Sequence, residues 1–372
     1  MKQICAKVCV LFAALLTVAS HAEAGDATAV TSGRVLLRAE RITELKQAVT
    51  NKTEPTYAAW LKVKQAADEG LARKPAVPAV WHVPGFYGNK EGHIRAKEGL
   101  MNDANTAYTL ALAYQITGDD AYGAAAAKFI LAWTQLKELK QGDDSKLCFS
   151  YHFPAMVFAA DLIRGSRHFD PEGEKAFSAF LEEKALPMNT MSSNNNWGNW
   201  GLVLFSSIAA YQNNAKRLAE AEERWKKLLD QQVGEDGSLT HEIGRNGGRS
   251  GMWYSHFSLF PQTIAAEVLR TQGRDLYDYK SPKGRTLRMA YEKLASWSAN
   301  PESFARWKGD PKELHGRDYF SYFEILYSRW PSREVGQLLV KNRPLTARHS
   351  LPWLTFKYGV AIESRNEVRE AR

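Results

Sequence analysis

The stretch Asn102-Asp103-Ala104-Asn105-Thr106-Ala107-Tyr108-Thr109-Leu110-Ala111-Leu112-Ala113-Tyr114-Gln115-Ile116-Thr117-Gly118-Asp119-Asp120 decides the fold class. Ala107, Leu110, Ala111 and Tyr114 recur at i, i+3, i+4 and i+7, the signature of one apolar face on a helix over 103–117. Gly118 and Asp119 end that helix, and a second is expected from about Asp120 to Trp133. The same pattern predicts helices over 154–165, 173–186, 199–213, 214–232, 258–272, 285–299 and 318–330. Their connections are short and carry Gly, Asn, Asp or Pro, as in Thr271-Gln272-Gly273-Arg274. Few runs alternate with period 2; Val35-Leu36-Leu37 and the stretch from Trp353 to Val360 are the strand candidates. Many helices in antiparallel pairs imply an all-α chain, either an (α/α) toroid or an α-solenoid. No fixed-length repeat is visible, which argues against the standard helical repeat families. Two long stretches break the helical pattern, Pro75 to Leu100 and Gly234 to Tyr254. Loops of that length, rich in Gly and aromatics, are expected to be ordered and functional.

The 372 residues are 44% apolar and 24% charged, an ordinary globular balance. Lys2 and Lys7, the apolar run from Val8 to Ala19 and the small-x-small triplet Ala22-Glu23-Ala24 predict a signal peptide over residues 1–24. The apolar run is shorter than the roughly 20 residues that a membrane helix needs, and no other run is longer, so no membrane span is expected. One domain over residues 25–372, in the periplasm or secreted, is the implied organisation. Cys5 and Cys9 lie in the leader, which leaves Cys148 alone: no internal disulfide and no paired-cysteine metal site. Formal charge is 49 − 41 = +8, and removing Lys2, Lys7 and Glu23 leaves 47 − 40 = +7. A basic exported protein suits an anionic polymer or cell surface. No block of like charges marks a nucleic-acid arm.

Three clusters carry chemistry. Asn194-Asn195-Asn196-Trp197-Gly198-Asn199-Trp200 opens a helix. Capping explains one of its asparagines; four Asn and two Trp in seven residues also suit a sugar cleft, the amides bonding hydroxyls and carboxylates and the indoles stacking on sugar rings. The run from His241 to Phe257 contains four glycines that let a ligand approach the backbone. It also holds Arg245 and Arg249, suited to carboxylates, and Tyr254 and His256 as proton-transfer candidates. A purely structural account makes Tyr254 and Phe257 a core pair. The run from Trp81 to Lys97 interleaves aromatics with His82, Lys90, His93, Arg95 and Lys97, either as a face for an anionic glycan or as a solvated loop. His152, among aromatics, reads as a core histidine. There is no Gly-x-Ser-x-Gly elbow, Walker loop or His-Glu-x-x-His motif, and no carboxylate pair stands out for glycoside hydrolysis.

At these residues the chain resembles the alginate lyase family and its relatives among the uronate polysaccharide lyases, from about Pro75 to the last helices. The segment from Asn102 to Asp119 looks like the family's recurrent early helix. Its Asn-Asn-His-x-x-Trp motif is similar to Asn195 through Trp200, with Trp197 where alginate lyases carry a catalytic His. Its Asn-Glu-Leu-x-Arg resembles His241-Glu242-Ile243-Gly244-Arg245, and its Tyr-x-x-Tyr/Phe-x-Leu-x-Pro resembles Tyr254, Phe257, Leu259 and Pro261. The resemblance implies the toroid with a deep cleft. It implies Asn196 as the carboxylate contact, Arg245 (with Arg249 as competitor) and Tyr254 as catalytic, and the loop bearing Tyr87 and Lys90 as a substrate-binding lid. Asn195, Trp197, Trp200, His93, Arg95, Arg249 and His256 complete the expected substrate-binding set.

The expected reaction is β-elimination on a 1,4-linked polyuronate, which leaves a 4,5-unsaturated uronate end. Asn196 relieves charge on the C5 carboxylate. An Arg beside Tyr254 is expected to lower its pKa from about 10 toward a usable base. One Tyr serves both C5–H and O4 only where they share a side of the ring, as in β-D-mannuronate and β-D-glucuronate. The expected substrates are therefore polymannuronate (alginate) or glucuronan, and the scheme calls for no metal or cofactor. The alternatives are a non-catalytic acidic-glycan-binding protein and a helical-toroid glycoside hydrolase.

Overall fold

The computed structural model describes residues 35–307 and 317–362. The expected leader, 1–24, lies outside the described residues. The described residues pack as one unit.

Helices alternate with short turns along the chain: α1 (Ala39–Thr50), α2 (Thr56–Leu71), α3 (Lys90–Thr117), α4 (Asp120–Thr134), α5 (Ser145–His152), α6 (Pro154–Ile163), α7 (Pro171–Phe180), α8 (Asn196–Tyr211), α9 (Ala215–Gln232), α10 (Gly251–Thr271), α11 (Leu287–Ala299), α12 (Phe323–Tyr327), α13 (Arg333–Asn342) and α14 (Leu354–Tyr358). They fall into two layers by how they bury. Every residue of α6 is buried, as are nearly all of α8 and α10 and the second half of α3. A helix apolar on all sides has to be surrounded. By contrast α9 buries one stripe, Leu218, Ala221, Trp225, Leu228 and Leu229, and keeps its charged face in water. α10 packs on α8, α3 on α6 and α4, and α9 on α8. An inner ring of enclosed helices backed by amphipathic ones is the (α/α) toroid, so the all-α expectation holds.

Caps explain most of the boundaries. Asn89 accepts from Gly92 N and starts α3, Asn195 accepts from Trp197 N and starts α8, Asn214 accepts from Arg217 N and starts α9, and left-handed Gly118 ends α3. Four boundaries differ from expectation, one being the helix expected over 318–330, which is a 3₁₀ turn at Arg317–Phe320 and a short α-helix at Phe323–Tyr327. α3 begins at Lys90, so the second half of the Pro75–Leu100 stretch is helical; its first turns are solvated and polar and show no apolar stripe. α10 begins at Gly251 rather than 258, and the helix expected over 173–186 leaves α-geometry after Phe180 for a π turn and a 3₁₀ turn. Neither strand candidate is a strand. Val35-Leu36-Leu37 is a buried bend whose Val35 N donates to Asp161 Oδ2 at 2.8 Å, and Leu354–Tyr358 is helical. The strands among the described residues are β1 (Val80–Trp81) and β2 (Glu138–Leu139), paired in parallel.

Two features of the interior position the site. Buried Asp103 accepts from Ala76 N at 2.7 Å and from Trp133 Nε1 at 2.9 Å, tying the loop after α2 to α3 and α4. Gly198 and Gly201 let the loop of 190–193 lie directly on α8: a Cβ at Gly198 would stand 1.8 Å from Ser193 O, and one at Gly201 would stand 2.2 Å from Met191 N. Arg224 from α9 holds the same loop through Met191 O and Ser193 O. The N-terminus of α8, with Asn196, is thereby fixed in place.

Candidate active site

Three segments meet at Tyr254. The first is the turn before α10. Left-handed backbone at Asn246 (φ 52°), Gly247 (64°) and Gly248 (90°) folds the chain back on itself. Gly251 allows Ile243 O to sit 2.3 Å from where a Cβ would be. Tyr254 N then bonds Ser250 O at 2.9 Å within the first turn of α10. This fold-back lays Arg245 over the Tyr254 ring, 4.4 Å from guanidinium carbon to centroid. Of the two competing arginines it is Arg245 that meets Tyr254; Arg249 is exposed.

The second segment is the N-terminus of α8. Asn196 is 1% exposed, and both its backbone N (2.9 Å) and its Nδ2 (2.8 Å) donate to Glu242 Oε1. Nδ2 keeps one further hydrogen for another acceptor. Glu242 Oε2 has no hydrogen-bond partner and lies 3.9 Å from Arg245 Nε. Burial raises the Glu242 pKa, against the hydrogen bonds from Asn196 and the charge of Arg245. Glu242 thus links Asn196 to Arg245. In the sequence Glu242 stands only as a motif member with no role of its own; its position three residues before Arg245 is the signal that points to it.

The third segment is the loop before α3. Its tip, Tyr87, is 84% exposed, yet its hydroxyl lies 3.2 Å from that of Tyr254. The loop is anchored beneath the tip: Phe86 N donates to Asp144 Oδ2 at 2.8 Å, and His93 Nδ1 lies 3.0 Å from Pro84 O and 3.2 Å from Asp144 Oδ2.

The electrostatics of Tyr254 reverse one expectation. Arg245 does pull its pKa down, but burial and the Tyr87 hydroxyl outweigh it, and the phenol is pushed up to about 12. Two neutral effects beat one charge because that charge is half-exposed and solvent screens it. At pH 7 the free site holds a phenol.

The remaining expected residues divide. Trp197 is half-buried at the start of α8. Asn195 is the helix cap, 3.1 Å from Trp197 N, so the bland reading of that asparagine is the one realised. Trp200 is fully buried among Tyr151, Phe257 and Phe260 and has no ring face for a sugar. His256 is 1% exposed, with Tyr322 Oη at 2.9 Å on Nδ1 and Ser298 Oγ at 3.0 Å on Nε2. Both ring nitrogens face the interior, so His256 does not reach the cleft, and burial pushes its pKa down to about 3. His93 is buried under the loop it anchors. Lys90 is exposed, 5.8 Å from the Phe86 ring, and Arg95 pairs with Glu91 beside a separate cavity of about 470 Å³. Asn199 serves the interior, donating to Gln232 Oε1 and Ser258. Among the described residues no group of three or more His, Cys, Asp or Glu side chains could hold a metal ion, and no helix is long and apolar enough to cross a membrane.

The sequence profile of the alginate lyase family matches residues 47–304. The chain belongs to the alginate lyase family. It is a polysaccharide lyase, which sets it apart from the hydrolase and non-catalytic alternatives. No individually curated protein sequence matches it significantly. Solved structures of family members share the fold. An alginate lyase from Bacteroides ovatus matches with TM-score 0.71 at 18% identity, covering 88% of this chain and 99% of that one. Alginate lyase A1-III from Sphingomonas species A1 matches with TM-score 0.71 at 17% identity over 88% of this chain and 95% of that one. A histidine-to-alanine variant of A1-III complexed with a tetrasaccharide matches with TM-score 0.73 at 16% identity, over 90% and 96%. At these identities the likeness concerns the fold.

Proposed function

We propose that this family member cleaves a 1,4-linked polyuronate, polymannuronate first and glucuronan second, by β-elimination, with Tyr254 carrying the proton. The reading rests on the convergence of Tyr254, Arg245, Tyr87 and the Glu242-held Asn196. A tetrasaccharide in the A1-III complex supports an oligosaccharide-length cleft.

Asn196 is the donor for the C5 carboxylate, through the Nδ2 hydrogen that Glu242 leaves over. A fixed donor needs no reorganisation as charge develops on that carboxylate. The C5–H bond breaks, its electron pair forms the C4=C5 double bond, and the C4–O4 bond breaks with O4 taking its electrons and a proton. Tyr254 accepts the C5 proton as phenolate and returns a proton to O4. With a pKa of about 12, ionising the phenol at pH 7 costs about 7 kcal/mol, from five units at roughly 1.36 kcal/mol each. A turnover of ~10 per second corresponds to a barrier of about 16 kcal/mol, so the cost fits within it. A single proton carrier requires C5–H and O4 on one side of the sugar ring, which favours mannuronate and glucuronate over guluronate.

Residues 1–24 are read as an export signal, which places a mature one-domain protein of residues 25–372 in the periplasm or outside the cell. The N-terminal sequence of protein recovered from that compartment tests this, with Gly25 expected first.

The decisive experiment incubates the mature protein with polymannuronate, polyguluronate, glucuronan and hyaluronan and follows ultraviolet absorbance of the unsaturated product. Product from polymannuronate or glucuronan, lost in Tyr254→Phe with the fold intact, is expected. Rapid, complete depolymerisation of polyguluronate alone defeats the single-carrier scheme.

A further inference from the structure

Lys97 lies on α3 at the wall of the site. Its Nζ donates to Tyr151 Oη at 3.2 Å and stands 5.5 Å from the Tyr151 ring centroid. Tyr151 is 4% exposed, and its hydroxyl also meets Cys148 Sγ at 2.9 Å. Its ring is packed edge-on by His349 (4.9 Å), Trp200 (5.8 Å) and Phe257 (5.8 Å). Phe257 is one helical turn beyond Tyr254, and the two rings are 6.3 Å apart. Tyr254 is also close enough to push the Tyr151 hydroxyl further up in pKa. Lys97 and Tyr254 thus flank the same floor, Tyr151 and Phe257.

Among the described residues no carboxylate lies within 4 Å of the Lys97 Nζ, whereas the ammoniums of Lys64, Lys226, Lys283 and Lys293 each have at least one. The nearest acid that influences it, Asp144, is engaged by His93 and Phe86 N. Arg348 adds a like charge close by, and burial together with that charge disfavours the ammonium. Withdrawing a cation from water without an acidic partner costs stability, and Lys97, unlike the fully buried Lys357 held by Tyr108, stays half-buried, where an arriving anion can meet it. Tyr151 fixes one of its three N–H groups and leaves two to donate. At the start of α8, where a histidine stands in the resembling motif, this chain has the uncharged Trp197.

We propose that Lys97, held in place by Tyr151, binds the carboxylate of a uronosyl unit in the subsite adjoining Tyr254 and so selects polymers charged at that position. The inference rests on the polyuronate reading above. It assigns Lys97 to binding and specificity, with the proton transfers left to Tyr254.

The test uses full-length mature protein in the cleavage-incompetent Tyr254→Phe background, titrated calorimetrically with short oligomannuronate, and compares Lys97 with Lys97→Gln, Lys97→Met and Lys97→Arg. A charge-assisted hydrogen bond to a carboxylate corresponds to about a 10- to 100-fold loss of affinity on its removal. That loss is expected for Gln and Met, with partial recovery for Arg and weaker salt dependence in the neutral variants. Melting temperatures of Lys97→Met equal to or above the parent are expected, since a strained charge is removed. In the Tyr254 protein, Lys97→Gln is expected to raise KM far more than it lowers kcat. Unchanged affinity overturns the inference, as does a fall in kcat at constant KM, which makes Lys97 a proton carrier, or a melting temperature that drops along with affinity, which makes it structural. If the parent binds and cleaves no uronate polymer, the polyuronate reading fails and takes this inference with it; uronate binding that ignores Lys97 defeats this inference alone.

Discussion

Replacing Arg245 by glutamine removes the charge that lies on the Tyr254 ring and works in favour of its phenolate. The guanidinium carbon lies 4.4 Å from the ring centroid, which puts it about 5 Å from the phenolic oxygen. At an effective dielectric of about 20 this separation gives ~3 kcal/mol of attraction to a phenolate. The Arg245 side chain is 36% exposed, and screening roughly halves the figure, leaving about 1.5 kcal/mol or about one pH unit. The phenolate population in Arg245→Gln is then about tenfold lower at any pH below the pKa. The surviving phenolate is a stronger base, and Brønsted behaviour returns part of the loss. The expected fall in kcat is therefore about three- to tenfold. Because Tyr254 titrates near 12, log kcat for both proteins should climb with unit slope from pH 6 to 9 and the two lines should stay parallel. Initial rates of unsaturated-product absorbance on saturating polymannuronate across that range measure it. Arg245→Lys, which keeps the charge and loses the flat contact, should lie between them. Equal rates for wild type and Arg245→Gln, or a ratio that drifts with pH, refute the reasoning, since another group would then set the ionisation.

Three further outcomes follow from the geometry. Glu242→Gln keeps an acceptor for Asn196 and removes a buried carboxyl whose pKa is raised by burial. A raised carboxyl pKa means the native state holds its proton longer than the unfolded chain, so wild-type stability at this site is lost as pH rises from about 4.5 through the folded pKa. The melting temperature of Glu242→Gln relative to wild type should therefore increase between pH 4 and pH 7, and a constant difference contradicts the burial argument. His256 stays neutral in the fold, with its pKa pushed down to about 3, so stability at this site is lost as pH falls below about 6.5; urea titrations of His256→Gln should show a pH slope shallower than wild type by about 1.4 kcal/mol per unit between pH 6 and 4, with kcat little changed at pH 7. Gly198→Ala forces a methyl against Ser193 O, 1.8 Å from the ideal Cβ position, and should cost about 2–4 kcal/mol in denaturant titration by displacing the loop or the start of α8; a loss under 0.5 kcal/mol means that the contact relaxes freely.

Much of the helical layer was legible because each outer helix writes its burial into a 3.6-residue stripe, as Leu218, Ala221, Trp225, Leu228 and Leu229 do on α9. The inner helices are buried on nearly every side, yet their apolar residues still recur at helical spacing and made them legible. What escaped were the segments whose structure is set by distant contacts. The first turns of α3 carry no stripe, and the bend at Val35 is fixed by Asp161, 126 residues away. Strand β1 exists because β2 lies beside it. In the site, the asparagine cluster contained one cap, Asn195, one interior anchor, Asn199, and one candidate contact, Asn196, whose distinct surroundings no local spacing could separate.

The sequence by itself determined the helical class, the breakpoint at Gly118, a cap somewhere in the asparagine cluster, and a short list that already held Tyr254, Arg245 and Asn196, because apolar periodicity, capping chemistry and residue types act over a few positions. Tertiary structure decided what surrounds those residues. It set Tyr87 against Tyr254 across 167 positions and Glu242 against Asn196 across 46. It turned His256 and Trp200 into core, laid Arg245 on the Tyr254 ring, and drove the Tyr254 pKa upward where its charged neighbour alone implied the reverse. Proximity and desolvation belong to the packed molecule, and a linear pattern carries neither.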